Sequence, residues 1–310
     1  MTHDSGLTGP SGAAHGTGLI AALAALAVDA PDGLIDRVAA RWVTVQGPLG
    51  ELRAAFTDHG VAYLRPEPPA PPVAAGAPGV GTEPGSVRED EAGSGAAGSS
   101  PAGEAGGGAV AVGGFAEEFR RRVGRPLLPG ARPPAGLVPA LRTGRTSGVP
   151  LDLRACGAFE REVLLAVRSI PRGEIRPYAW VAARTGRPAA AARAVAGVLA
   201  RNPVPLLVPC HRVTGAGGVL GTYVLGPLAQ ERLLRAEGVD LERVRELAGR
   251  RVYYLASDTT GIVCLPTCHN ARRITPRHRR GFRSVAQARA AGYRPCRSCH
   301  PTPGLTPEPA

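Results

Sequence analysis

The sequence predicts an α+β fold: a small N-terminal antiparallel α/β domain, a mostly helical domain with a helix-turn-helix, and a small C-terminal domain around four cysteines. Three observations predict it. Short apolar runs separated by turns come first, helical periodicity dominates the middle of the chain, and two close cysteine pairs lie near its end. A chain of 310 residues is long enough for about two domains.

Residues 1–65 form the first predicted unit. Apolar residues recur at helical spacing on both sides of Pro31. Because proline lacks a backbone donor, this pattern predicts two short helices and not one long helix. Turns at 47–50 and 58–60 then divide the stretch that ends at Leu64 into short antiparallel strands.

Residues 66–114 contain no aromatic residue, no leucine and no isoleucine, only small residues, proline, scattered valine and charged residues. Such a composition cannot offset the entropy that ordering costs, so we predict a disordered insertion. Residues 115–150, with a helix over 117–123, are predicted to complete the N-terminal unit and connect it to the next domain.

Residues 151–248 form the mostly helical domain. Short strands are predicted at 151–153 and 204–208, and a helix is predicted to stop at Pro171. Helices at 178–184 and 189–200 flank a Gly-Arg-Pro turn, a pattern typical of a helix-turn-helix. From this pattern alone an ordinary αα-hairpin is equally compatible.

Charge is unevenly distributed along the chain. All 37 basic residues are arginine, and residues 1–112 carry a net charge of −7 (5 Arg, 12 acids) against +19 for residues 113–310 (32 Arg, 13 acids). This polarity indicates that the C-terminal part binds a polyanion, with a merely solvated basic surface as the alternative.

No apolar run approaches the roughly 18 residues of a membrane span, and no basic residue precedes the best signal-peptide candidate. We therefore expect a soluble, cytoplasmic protein without a membrane partner.

Six cysteines are present, and four of them form two close pairs 27 residues apart: Cys264, Cys268, Cys296 and Cys299. Four thiolates in a reducing compartment suit one tetrahedral Zn²⁺, with disulfides as the alternative. We assign residues 249–301 to this zinc domain, with a helix over 284–292 packing on the site and a flexible tail at 302–310. Cys156 fits no motif and is expected to be a partly buried filler.

A second group of motifs surrounds a lone Cys-His pair. In chain order it comprises Ile170-Pro171-Arg172-Gly173-Glu174, Tyr178, Arg193-Ala194-Val195, Asn202-Pro203, Pro209-Cys210-His211-Arg212-Val213, Gly221-x-Tyr223 and Leu233-Leu234-x-x-Glu237. Together these segments closely resemble the O6-alkylguanine-DNA alkyltransferase (methylated-DNA–protein-cysteine methyltransferase) family over about residues 151–241, and more faintly back to the N-terminal hairpin. The residues suit the chemistry, since displacing a methyl from guanine O6 needs a thiolate, and a thiol needs a neighbouring base to become one.

The resemblance implies a nucleoid-associated, monomeric repair enzyme of the methylated-DNA–[protein]-cysteine S-methyltransferase class. It would flip O6-alkylguanine out of double-stranded DNA and transfer the alkyl group irreversibly to its own cysteine, once per molecule and without a methyl-donor cofactor. O4-alkylthymine stays open as a second substrate.

The resemblance also implies roles for individual residues. Cys210 would be the acceptor, His211 would relay its proton through a water, and Glu237 would orient the histidine. Asn202 would hold the turn that presents the thiol. On the DNA side, the implied contacts are Arg193, which enters the base stack, Tyr178, which crowds the adjoining phosphate and stabilises the leaving guanine, Ala194 and Arg212.

The cysteine-rich end has a resemblance of its own. Thr259-Thr260-Gly261-x-x-Cys264, Phe282, Ala288 and Ala291-Gly292-Tyr293-Arg294-Pro295-Cys296-x-x-Cys299 resemble the zinc domain of Ada-type methyl-phosphotriester repair proteins. In that family the first cysteine, here Cys264, is both a ligand and a methyl acceptor, whereas similar modules serve only structure or DNA binding. Residues 250–300 carry 11 arginines against one acid, a net charge of +10, so we expect this domain to aid DNA binding in either case.

The rival function is a DNA-binding damage sensor or an Ada-like regulator of the alkylation response. Alkyltransferase-like proteins that only bind lesions lack the acceptor cysteine, whereas Cys210 is present here with His211 and Glu237. No stretch remains for a promoter-binding helical domain. Both observations favour repair.

Overall fold

The structure is a computed structural model that describes residues 33–66, 114–130 and 132–302. The helix predicted before Pro31, nearly all of the insertion predicted over 66–114 and most of the predicted tail lie outside the described residues. The described α-helices are α1 (Leu34–Val38), α2 (Gly114–Val123), α3 (Leu137–Thr143), α4 (Ala158–Arg168), α5 (Tyr178–Arg184), α6 (Ala192–Ala200), α7 (Pro227–Ala236), α8 (Leu241–Gly249), α9 (His269–Arg272) and α10 (Val285–Ala290). The described strands are β1 (Ala40–Gly47), β2 (Gly50–Thr57), β3 (Gly60–Pro66), β4 (Leu127–Pro129), β5 (Arg176–Pro177), β6 (Val213–Thr214), β7 (Tyr254–Ser257), β8 (Ile262–Cys264), β9 (Arg279–Phe282) and β10 (Arg294–Pro295).

The N-terminal sheet has the strand order β3-β2-β1-β4. β1, β2 and β3 pair in an antiparallel manner across the two predicted turns, which confirms that prediction, and β4 adds in parallel to β1. Helix α2 packs on β3, where the Tyr63 ring lies 5.3 Å from Phe115 and 6.4 Å from Phe119 between ring centroids. These rings fix the segment after the insertion against the sheet.

The helical part follows the predicted periodicity. Val163, Val167 and Ile170 are buried along and just beyond α4, and α5 and α6 form two consecutive helices. A 3₁₀ turn over Ala189–Ala191 precedes α6, so the predicted helix at 189–200 begins with this tighter turn.

Both strands predicted in this part are wrong. Leu151 makes a single bridge to Val61, and the Asp152 carboxylate then accepts hydrogen bonds from Thr57 and Arg154, which turn the chain away. Residues 204–208 are buried as expected, but Leu206 has a positive φ of 73° and only one bridge forms. A short apolar run identifies burial and cannot by itself distinguish a strand from a closed loop.

The C-terminal part is a four-stranded sheet of order β10-β8-β7-β9 with α9 and α10 against it. The predicted helix over 284–292 forms as α10, where the Ser284 hydroxyl caps the first turn by accepting from the Gln287 amide at 3.1 Å. One hydrophobic core runs through both the helical part and this sheet, and it includes Trp180, Leu255 and Cys299. Within the described ranges, no helix has the length and apolar character needed to cross a bilayer.

Candidate active site and metal centre

Cys210 begins a 3₁₀ turn between the buried loop at 204–208 and strand β6, and its side chain is 4% exposed. The Asn202 side chain organises this region. Its amide nitrogen donates to the Val208 carbonyl at 3.0 Å and lies 3.0 Å from Cys210 Sγ, while its carbonyl oxygen accepts from the Val204 amide. Asn202 therefore closes the loop and presents an N–H to the sulfur, a geometry compatible with the turn-holding role that the resemblance implies.

The loop is also held from the N-terminal sheet. Arg65, at the end of β3, donates from Nη1 to the Asn202 and Pro203 carbonyls, both at 3.1 Å. Its positive charge also lies near enough to Cys210 to favour the thiolate. Sequence reasoning missed Arg65, because the contact joins residues 137 positions apart and no local pattern marks it.

A histidine and a carboxylate lie directly beyond the thiol. His211 Nε2 is 3.1 Å from Glu237 Oε1, and both side chains are buried. The Nδ1 atom of His211 is also buried, and no hydrogen-bond partner lies near it among the described residues. If Nε2 carries the proton donated to Glu237, then Nδ1 is the lone pair that can accept a proton through a water.

Arg212 differs from its predicted role. Its side chain is 3% exposed and donates to both Glu237 oxygens, at 2.9 Å and 2.7 Å, and to the Ile170 carbonyl. A buried guanidinium used in this way cannot reach a DNA phosphate. Arg212 instead holds the carboxylate in position by a bidentate contact, which fixes direction as well as charge.

The pKa values follow from this geometry. Burial raises the pKa of Cys210 to about 11, against the favourable N–H from Asn202, so the resting group is a thiol. Burial also lowers the pKa of His211, against the stabilising effect of Glu237, so the imidazole is neutral. Burial alone would raise the pKa of Glu237, but hydrogen bonds from His211 and Arg212 hold it at about 2. The three groups therefore rest as thiol, neutral base and carboxylate.

Two tyrosines flank the thiol. Tyr178 begins α5, half-buried, and Gly221 leaves it room: a Cβ at Gly221 would lie 2.4 Å from the Tyr178 hydroxyl oxygen. Tyr223 is buried, its ring centroid is 6.2 Å from that of His211, and burial raises its pKa, as does the nearby Cys210. Tyr223 appeared in the sequence only as part of a motif, and the structure brings it to the site.

Helices α5 and α6 carry the remaining predicted contacts. Arg193 and Ala194 are exposed in the first turn of α6, and among the described residues Arg193 has no hydrogen-bond or ion-pair partner. The turn before them is fixed by Arg187, which pairs with Glu162 at 2.6 Å and covers the Phe159 ring. The geometry leaves the Arg193 guanidinium available for an external ligand.

The four predicted metal ligands converge. The sulfur atoms of Cys264, Cys268, Cys296 and Cys299 all lie within 4.8 Å of one another, all four residues are buried and none forms a disulfide. Backbone and amide N–H groups from Leu265, Asn270 and Ser298 point at two of the sulfurs at 3.4 to 3.5 Å. Four clustered cysteines with N–H donors around them fit a tetrahedral Zn²⁺ site of the thiolate type.

Cys264 also borders a cavity. It lines a cavity of about 240 Å³ together with Thr260, Asn270 and Arg273, among other residues. Cys264 is 1% exposed, so a phosphate group that enters the cavity would meet the exposed Arg273 side chain before it reaches the sulfur.

The helical part thus brings a buried thiol, a histidine and a carboxylate together near two consecutive helices, and the C-terminal part clusters four cysteines that suit a metal ion. Comparison with known proteins gives families for both. Residues 158–239 match the family described as "6-O-methylguanine DNA methyltransferase, DNA binding domain", and residues 243–302 match "Metal binding domain of Ada". The two resemblances expected from the sequence are confirmed for these regions.

Individual relatives agree. The chain is 48% identical over 92 residues to a methylated-DNA–protein-cysteine methyltransferase of Methanothermobacter thermautotrophicus, covering 30% of this chain and 51% of the relative. It is 44% identical over 82 residues to the human protein of that name, 26% of this chain and 39% of the relative. With the bifunctional transcriptional activator/DNA repair enzyme Ada of Escherichia coli it shares 41% over 95 residues, 31% of this chain and 26% of the relative.

The chain therefore spans about half the length, or less, of these relatives. Among solved structures, an OGT of Mycobacterium tuberculosis (variant R37K) aligns with 64% of this chain and 92% of its own at 26% identity. Its TM-score of 0.42 is too low to bear on the fold of the whole chain.

Proposed function

We propose that this protein repairs DNA by transferring an alkyl group from O6-alkylguanine in double-stranded DNA to Cys210. The observation that carries the proposal is the Cys210–His211–Glu237 arrangement: a buried thiol, a neutral histidine with a free nitrogen, and a carboxylate clamped by Arg212. This is the nucleophile, base and orienter that thiol alkylation requires. It lies within the region that matches the methyltransferase family.

The reaction follows from these positions. A water passes the Cys210 proton to His211 Nδ1, and Glu237 balances the positive charge that the imidazole gains. The thiolate attacks the alkyl carbon, so the S–C bond forms as the C–O bond breaks and the electron pair leaves with guanine O6. The Tyr178 hydroxyl, held against Gly221, is placed to donate a proton to the leaving base. Cys210 ends as a thioether, and each monomer acts once.

The lesion must reach a buried sulfur, so the guanine has to leave the stack at a cost of a few kcal/mol. Exposed Arg193 at the start of α6 would fill the vacated space, and Ala194 would allow close approach to the groove. O4-alkylthymine remains a second candidate substrate.

The central test is intact-mass spectrometry after incubation with duplex DNA containing one O6-methylguanine. We expect one added methyl of about 14 Da on Cys210, and none in Cys210→Ala, because no other group in the site can form the S–C bond. Cys156→Ala is the matched control, since this thiol lies outside the site, and it should react like the parent. A methyl that persists in Cys210→Ala would reject Cys210 as the acceptor.

We further propose that Cys264 accepts a methyl from methyl phosphotriesters in DNA. The observation that favours this activity is the cavity beside Cys264 with Arg273 and Asn270 on its wall. When bound, Zn²⁺ keeps its ligand thiolates deprotonated and nucleophilic. Arg273 would then bind the phosphate oxygens, and the sulfur of Cys264 would take the methyl as the C–O bond breaks.

Zinc-loaded protein on phosphotriester DNA without guanine lesions should gain one methyl of about 14 Da. Zinc-loaded Cys210→Ala should gain it too, because the two acceptors are separate, whereas Arg273→Ala should gain it more slowly at low DNA concentration. An unchanged mass of the zinc-loaded protein would leave the site structural. A damage sensor without transfer activity, the alternative function, would bind lesion DNA and show no mass change on either substrate.

A further inference from the structure

The segment 173–180, which we call the junction segment, begins in the turn that follows α4 and runs through β5 into α5. It contacts the C-terminal domain on one side and the proposed active site on the other. Nothing in the sequence connects these two sites, since their motifs lie more than twenty residues apart. The contacts of the junction segment do connect them.

Trp180 makes the first contact with the metal centre. Its indole N–H, buried with the ring, points at two carbonyl oxygens, that of the ligand Cys299 at 2.9 Å and that of His300 at 3.1 Å. His300 has a positive φ of 45°, which a non-glycine residue adopts only when its surroundings hold it there. Trp180, in α5, therefore holds the loop that carries the ligand pair Cys296 and Cys299.

The junction segment also holds the loop around the ligand Cys268. Ile175 N–H donates to the Thr267 hydroxyl at 3.0 Å, and Thr267 lies directly before the ligand Cys268. Glu174 Oε1 accepts from the His269 amide at 3.0 Å and lies 3.1 Å from its Nδ1, directly after the same ligand. Glu174 is held in turn by a buried ion pair with Arg176.

The opposite side of the junction segment touches the proposed active site. The Gly173 N–H donates to Glu237 Oε2 at 3.2 Å, and a Cβ at Gly173, where φ is +77°, would lie 3.0 Å from the Glu237 carbonyl. Tyr178 packs against Gly221 in the loop that carries Tyr223. The eight-residue junction segment therefore contacts both ligand loops, the Glu237 carboxylate and the loop that carries Tyr223.

We propose that zinc binding in the C-terminal domain positions the junction segment, and through it Tyr178 and α5, so that metal occupancy controls reaction on duplex DNA. Trp180 is the main positioning residue. Zinc holds both ligand loops in place. The loops hold Trp180, Ile175 and Glu174, and these residues position α5. Because zinc binding and the junction contacts are then thermodynamically linked, a variant that weakens the junction contacts should also bind zinc less tightly.

Intrinsic fluorescence tests the coupling without any reaction. The chain has two tryptophans, and Trp42 lies in β1 with the Arg53 guanidinium 5.2 Å from its ring centroid, in a cluster formed by the N-terminal sheet and α2. In Trp42→Phe, only Trp180 emits, and we expect its emission to shift to longer wavelength when a chelator removes zinc and to recover when zinc is restored. In Trp180→Phe, Trp42 is the matched control and should not respond. An unchanged Trp180 emission would overturn the proposal.

Zinc affinity and rates supply the second measurement. Trp180→Phe keeps an aromatic ring and removes the N–H, so its affinity for zinc, measured against a chromogenic chelator, should fall about threefold to tenfold. The zinc-loaded variant should react more slowly with duplex DNA, and its loss with free O6-methylguanine should be smaller, because the free base needs Tyr178 but no helix-turn-helix. Equal slowing on both substrates, or an unchanged zinc affinity, would show that Trp180 serves packing alone. If Trp180→Phe does not fold, Thr267→Val removes the contact to Ile175 and takes its place.

The rate comparison rests on the proposed function, whereas the fluorescence and zinc-affinity measurements do not. A protein that never transfers a methyl would refute the proposed function and leave the coupling to be decided by emission and zinc affinity. If the protein transfers methyl groups but its Trp180 emission does not change on zinc removal, the proposed function stands and the coupling is refuted.

Discussion

At the scale of single residues, the proposed chemistry depends on a buried carboxylate that stays charged and on a histidine beside it that can gain a proton. Glu237 would be costly to bury alone, but it accepts from His211, from Arg212 twice and from the Gly173 amide. The carboxylate therefore remains charged, and the histidine can become cationic beside it. Arg212 is the residue whose role changes most, from an expected DNA contact to the clamp of the carboxylate.

The pH dependence of reaction with the free base tests these residues. The lowered pKa of His211 keeps the base neutral from about pH 7 upward, and the thiol, with a pKa of about 11, stays protonated up to about pH 9. The rate constant should therefore be nearly level between these values and fall only below the ordinary histidine range, as His211 gains its proton. His211→Gln removes the base, so its rate should instead rise with pH as the thiolate forms. A parent profile that rises tenfold per pH unit would show that His211 does not take the proton.

At the scale of elements, two short helices present a charge to the outside while their other faces are buried. Val195, Val198 and Leu199 anchor α6 in the core, and Arg193 stands on its exposed first turn. An ordinary αα-hairpin and a helix-turn-helix were both compatible with the sequence, and the backbone of these two helices does not distinguish them. What favours the latter is the unpartnered guanidinium together with the family match over residues 158–239.

Arg193→Ala should slow repair of a duplex lesion by about tenfold or more and change reaction with free O6-methylguanine little, because only the duplex substrate requires base flipping. Single-turnover rates on both substrates measure the difference. Arg235→Ala is the matched control: it removes the same charge from α7, where Arg235 already pairs with Glu231 and Glu242. A similar loss for both variants would point to overall charge and not to intercalation.

At the scale of the whole molecule, one continuous core joins the helical part to the C-terminal domain, the two regions that we propose to bind DNA. The zinc domain contributes a net charge of +10 over residues 250–300 and shares the junction segment with the helical part. We expect the two regions to bind one duplex together, with zinc as the condition for the shape of the composite surface.

Zinc removal should therefore lower DNA affinity and flatten its dependence on salt. The slope of log affinity against log salt becomes shallower by about 0.9 for each phosphate that the protein no longer neutralises. Chelation should loosen roughly residues 251–301, because small cysteine-rich domains rarely fold without metal. Fluorescence anisotropy with an undamaged duplex at several salt concentrations measures the slope, and hydrogen exchange locates the loosening. The Cys210 site takes no residue from the zinc domain, so reaction with the free base should survive. An unchanged slope would exclude this domain from the DNA interface.

Most of the proposed chemistry could be predicted from the sequence, because it depends on residue type at short spacing. Two patterns indicate the proposed sites without any structure: a Cys-His pair within family motifs, and four cysteines in two close pairs. The helical periodicity of α4 to α6 and the turns between β1, β2 and β3 are local patterns of the same kind. The two wrong strands also have a local explanation, since a short apolar run predicts burial and not backbone conformation.

Long-range contacts decided the rest. Arg212 follows the predicted base directly in sequence, yet only the folded chain turns its guanidinium inward to Glu237, 25 residues away. Arg65 supports the Asn202 turn from a separate sheet, and Trp180 ties a helix to a metal ligand 119 residues later. Side-chain direction in such contacts is set by packing among distant segments, which no spacing along the chain encodes. The sequence by itself determined which groups we propose to react, and the tertiary structure decided which side chains hold those groups and which contacts join the two sites.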